Sequence, residues 1–144
     1  MLAGRPESNA FLRRLISAAG DDRRIRIIPE FVPPARVPVL QKGADWVILP
    51  YRRILNSGAA MFALSFGVPV VGPRQGSFLE LEDFLRTGWV RLFNPFLRRE
   101  HLKQLEEPGL RDVHRLEQFL EGRSWDRIAE ETMRFYHAVL QCTE

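Results

Sequence analysis

Three short apolar or nearly apolar runs, residues 46–49, 68–71 and 89–93, set the tightest limit on what this chain can fold into. A strand that stays apolar without alternation is covered on both faces, which is the situation inside a parallel sheet. Helical periodicity fills the intervals between the runs. Residues 58–66 are small and apolar, with Gly67 as a stop, and residues 76–85 form a second helix ending near Gly88. Upstream, residues 1–4 and 25–29 read as strands. Between them residues 7–19 place Phe11, Leu12, Leu15 and Ile16 on one helical face, closed by Gly20. Pro33 and Pro34 break the chain before a short helix at 35–42. Strands alternating with helices predict an α/β domain with a mainly parallel sheet.

After Pro95 the pattern is helical throughout, over residues 97–105, 110–120 and a terminal helix opened by Ser124 as N-cap. Asp126 in its first turn favours the helix dipole. Trp125, Ile128, Ala129, Phe135, Tyr136, Val139 and Leu140 make a broad apolar stripe, read as core packing.

A chain of 144 residues with 45% hydrophobic content is long enough for one domain with a real core. No run approaches the ~20 apolar residues that cross a bilayer, and no signal segment opens the chain, so the expected location is cytoplasmic. One cysteine, Cys142, excludes an internal disulfide framework and a cysteine-rich zinc site. The net charge of +3 is carried almost wholly by arginine, with Lys42 and Lys103 the only lysines. Arginine suits phosphate recognition, but a codon preference is the simpler account of the bias. The basic pairs are scattered and not interleaved with aromatics, so no nucleic-acid partner is expected. His101, His114 and His137 lack metal-ligand spacing, and no metal is expected.

Ligands of open α/β sheets bind where strands hand over to helices at their carboxyl ends. Residues 50–58, "PYRRILNSG", are such a joint. The free N–H groups of Ser57, Gly58, Ala59 and Ala60, aided by the helix dipole, form an anion site suited to a phosphate or diphosphate. Alternatively Asn56 or Ser57 caps the helix and satisfies these donors internally. The residues alone admit both. Arg52 and Arg53 precede the joint and offer bidentate contacts or stand as solvated loop charges. The next joint, "GPRQGSFLELE" at 72–82, repeats small residues beside an arginine at the same sheet edge, pointing to a shared polar ligand.

The run "ADWVILPYRRILNSGAAMFALSFGVPVVGPRQGSFLELE" resembles the donor-binding half of GT-B glycosyltransferases of the family 4-like bacterial type. Gly67-Val68-Pro69-Val70-Val71 matches its central element, and Gly76-Ser77-Phe78-Leu79-Glu80 matches its Gly-Gly-x-x-Glu with serine for the second glycine. "AGRP" at 3–6, "FVP" at 31–33 and "SWDRIAEETMRFYHAVL" at 124–140 extend the likeness over most of the chain, least well across 94–122.

The resemblance implies a Rossmann-like three-layer domain over residues 1–144 with a helical C-terminal region. It implies transfer of a sugar from a nucleotide-sugar to a glycan or lipid-linked acceptor, with no cofactor and no metal. Phe31 and Val32 match the loop that reads the nucleobase, and residues 57–59 match the N–H groups holding the diphosphate or sugar. Arg74, Gly76 and Ser77 match the sugar side, and Glu80 the glutamate of that loop. The family's two glutamates, separated by seven residues, would fall near Ile54 and at Phe62, so the ribose contact is expected to be made differently. Catalytic residues are not identified. Because a strand begins at Met1, the chain is expected to lack its first strand–helix unit and an acceptor-binding N-terminal domain, and alone to show no turnover. The complete enzyme is expected to associate peripherally with membranes. Part of the terminal stripe then becomes an interface between domains, or a dimer contact when exposed. A non-catalytic binding module of the same shape is the alternative.

Overall fold

A computed structural model describes residues 1–86, 88–105 and 111–141. The chain divides into two compact units, Met1–Leu40 and Gln41–Glu144.

In the first unit, β1 (Leu2–Ala3) pairs in parallel with β2 (Ile27–Ile28), Leu2 opposite Ile27. Helix α1 (Asn9–Ala19) joins them. It starts two residues later than its apolar face suggests, because the Ser8 hydroxyl accepts the Phe11 N–H at 3.1 Å and fixes the first turn. Gly20 ends α1 at φ 55°, ψ −140° and donates its N–H to the Ile16 carbonyl. In the following turn the Arg24 guanidinium grips Asp22 at 2.6 Å, holding that carboxyl down at about 2. Phe31 and Val32 lie in the irregular segment after β2, and Phe31 is exposed. A 3-10 turn at Pro34–Arg36 leads into α2 (Val37–Lys42).

The second unit holds β3 (Val47–Ile48), α3 (Gly58–Ser65), β4 (Val70–Pro73), α4 (Ser77–Leu85) and β5 (Val90–Phe93). The three strands pair in parallel in the order β3-β4-β5. Central β4 is buried along its whole length, as its apolar sequence requires. It begins two residues later than the apolar run at 68–71 and extends to Pro73. The Gly67 and Val68 N–H groups are used to close α3, bonding to Leu64 and Ala63 carbonyls, so neither is left for the ladder.

Ala60, Ala63 and Leu64 of α3 and Phe78, Leu81 and Leu85 of α4 are buried in one core with Val70, Trp89, Leu116 and Phe119. Small residues on α3 let its backbone approach β4. Phe78 lies directly over Gly72, where a Cβ would collide with its ring. Each such fully buried phenylalanine or leucine contributes about 1.5–3 kcal/mol. α5 spans Arg99–Lys103, and α6 (Val113–Glu121) packs Leu116 and Phe119 inward. Asp112 caps α6 by accepting the Arg115 N–H at 3.0 Å, and its carbonyl accepts the Trp89 Nε1–H at 2.9 Å. The Arg111 guanidinium lies 5.4 Å from the Trp46 ring and 5.8 Å from the Trp89 ring, joining α6 to the segments that lead into β3 and β5.

α7 (Trp125–Gln141) opens at Ser124, whose hydroxyl accepts the Arg127 N–H at 3.3 Å. Its apolar stripe is not core: no α7 residue is buried, and Trp125 is 85% and Phe135 65% exposed. The helix is supported along its length by Arg127–Glu131 and Arg134–Glu130 pairs, each worth a few tenths of a kcal/mol. The chain is α/β with parallel pairing in both sheets, a Rossmann-like arrangement with a helical C-terminal region. Among the described residues no helix is long and apolar enough to cross a membrane. Leu110, expected to open a helix, and Cys142 lie outside the described residues.

Candidate functional site

The start of α3 is capped by Ser57, and two of its backbone donors are left open. Ser57 adopts an extended conformation, is 6% exposed, and its hydroxyl accepts the Ala60 N–H at 3.1 Å. Ser57 is therefore the cap, Asn56 is not, and Ala60 is withdrawn from any ligand. The Gly58 and Ala59 N–H groups have no acceptor among the described residues, and both residues are exposed. No atom stands within 4 Å of where a Gly58 side chain would project. This leaves two backbone donors at the positive end of a helix, facing open space.

The loop after β4 is fastened to the loop after β3. Gly76 sits at φ 54°, and a Cβ there would lie 2.5 Å from the Ile54 carbonyl oxygen and 2.7 Å from that of Leu55. The adjacent Ser77 N–H donates to the Leu55 carbonyl at 2.9 Å, and Gln75 Nε2 donates to the Arg52 carbonyl at 3.0 Å. Gly76 thus serves close packing of two loops. The first N–H of α4 is occupied by the protein itself, so α4 does not repeat the open helix start of α3.

Between these helices lies a cleft of about 360 Å³. Asn56, Ser57, Gly58, Ser77 and Glu80 line it, so five residues singled out from two separate motifs converge in one place. Met61, Leu81 and Phe119 add an apolar surface. The Ser77 hydroxyl oxygen is buried and has no hydrogen-bond partner among the described residues. Glu80 stands in the first turn of α4, where the helix dipole favours its charge.

The arginines picked from the motifs go elsewhere. Arg74 forms a half-exposed pair with Glu82 at 3.6 Å, an interaction worth at most about 1 kcal/mol. Arg52 lines a different cleft of about 510 Å³, with Tyr51, Phe93 and Phe96. Phe31 and Val32 belong to the Met1–Leu40 unit. The cation that does line the α3–α4 cleft is Arg123, at the joint between α6 and α7. Nothing in its local sequence, "EGRS", marks it, because the fold brings it there from more than forty residues away. Among the described residues no three His, Cys, Asp or Glu side chains gather as a metal site would need.

No family model matches the chain, and no solved structure matches it. Among curated proteins it is similar to two named GDP-mannose:glycolipid 4-beta-D-mannosyltransferase, both from Xanthomonas campestris pv. campestris, at 29% and 28% identity over 142 residues. The match covers 94% of this chain and 39% of each relative. The chain is homologous over nearly its whole length to bacterial glycosyltransferases, and it spans about two-fifths of theirs.

Proposed function

We propose that this chain is the donor-binding part of a GT-B glycosyltransferase that moves a sugar from a nucleotide-sugar to a glycan or lipid-linked acceptor. The observation carrying this reading is the cleft at the strand-to-helix joints, where Gly58, whose N–H is open, lines the same space as Ser77 and Glu80. An anionic diphosphate is held at the α3 start, where donors and dipole act together. The sugar hydroxyls, which are hydrogen-bond donors, fall to Glu80. Donors aimed at the diphosphate stabilise the charge that grows on it as the glycosidic bond breaks.

The names of the relatives point to GDP-mannose as the first donor to try and a glycolipid as the acceptor class. Turnover is assigned to the longer protein, with this chain supplying the donor wall. A binding module without turnover is the second reading, favoured by Ile54 and Phe62 where the resembling family carries glutamates. Titration with UDP, GDP and ADP, followed by amide NMR shifts, tests the proposal. GDP is expected to shift Gly58, Ala59 and Ser77 most. Shifts spread evenly over the chain, or none up to millimolar nucleotide, would refute the donor site.

A further inference from the structure

We infer that Arg123 is a phosphate-contacting residue of this cleft, a role that nothing in the motifs around Arg52 or Arg74 assigns. The inference rests on the donor-binding reading and deepens it. The Arg123 guanidinium carbon lies 3.9 Å from the centroid of the Phe119 ring and 5.7 Å from that of Phe84. Phe119 is 1% exposed and packs against Phe84 at 5.1 Å between centroids, so the platform under the guanidinium is fixed by the core. Stacking uses the face of the guanidinium and leaves its in-plane N–H groups available. Among the described residues no carboxylate pairs with Arg123. The result is a cation whose orientation is set before any ligand arrives, at the wall of a cleft also lined by Gly58, whose backbone N–H is open, and by Ser77, whose buried hydroxyl has no partner among the described residues.

Charge decides what such a cleft takes. Arg123 and the α3 terminus are positive, and Glu80 on the same cleft is negative. A small, wholly anionic ligand such as inorganic phosphate gains from the first pair and is repelled by the third group. A nucleoside diphosphate-sugar carries its anion and its hydroxyls on different parts and satisfies all three. The structure therefore favours the nucleotide-sugar over free phosphate, with Arg123 acting on the diphosphate.

The test compares GDP and GDP-mannose binding by wild type, Arg123→Lys and Arg123→Ala, together with the Arg123 Nε–H resonance. Lysine keeps the charge but loses the planar fork and the stack. Both variants should bind GDP about tenfold or more weakly, the loss of a charge-assisted hydrogen bond. The Nε–H resonance should move on adding GDP to the wild type, a change that a purely packing role would not produce. Unaltered GDP affinity in both variants, or a stationary Nε–H signal during saturable binding, overturns the role of Arg123 and leaves the donor site standing. Failure of the wild type to bind any nucleotide overturns both.

Discussion

Gly20 and Gly76 hold nearly the same backbone conformation, φ 55°, ψ −140° and φ 54°, ψ −143°, in opposite surroundings. Replacing each by alanine separates backbone strain from steric contact. An L-residue forced into this region costs about 1–3 kcal/mol. At Gly20 no atom lies within 4 Å of the added methyl, so that strain is the whole effect. At Gly76 the methyl would stand 2.5 and 2.7 Å from two carbonyl oxygens, closer than real Cβ atoms are found. The two loops must part. Overpacking adds about 1–3 kcal/mol, and stretching the Ser77–Leu55 hydrogen bond about 1 kcal/mol more. The expected losses are about 1–3 kcal/mol for Gly20→Ala and about 3–7 kcal/mol for Gly76→Ala. Urea unfolding followed by tryptophan emission suits Gly76, since Trp46 and Trp89 belong to its unit. Far-UV circular dichroism, which sees α1, suits Gly20. Equal losses at the two positions would refute the close contact between the loops.

Removing the cap with Ser57→Ala should destabilise by about 1 kcal/mol, while Ser57→Gly loses only a few tenths, as read by urea midpoints. Trp89→Phe removes the Nε1–H bond to the Asp112 carbonyl and should lose about 1 kcal/mol in the same assay. The Asp22 carboxyl should titrate near pH 2 by carbon NMR, and Arg24→Ala should raise it toward, but not fully to, the ordinary carboxylate range, because the backbone N–H of residue 24 still donates to it. Because the folded value is the lower one, this pair stabilises above the unfolded pKa, and its contribution fades as pH falls toward 2.

Local signals made the element order readable in advance. Ser124 announced α7, Gly67 announced the end of α3, and the apolar runs announced parallel pairing. The open donors at the start of α3 were legible because helix termini leave N–H groups unsatisfied whatever the tertiary context. What stayed hidden depended on contacts distant in sequence. Nothing in "RRILNSG" says that Arg52 faces Phe93 and Phe96 rather than α3, and Arg74 finds Glu82 eight residues on. The α7 stripe misled because periodicity shows that a face is apolar without showing that anything covers it. The start of β4 moved for a similar reason: an apolar run does not reveal that its first N–H groups are already spent on a helix end.

The seam between the two loops is made almost wholly of main-chain atoms. The carbonyls of Arg52, Ile54 and Leu55 take the contacts, and Leu55 turns its own side chain outward at 79% exposure. Placement of this segment is thus uncoupled from most of its residue identities. A saturation library should find positions 52, 53, 55 and 56 broadly permissive for folding and Gly76 almost invariant. New side chains could then be tried at the rim of the cleft, and ligand preference diversified, without moving the scaffold that presents them.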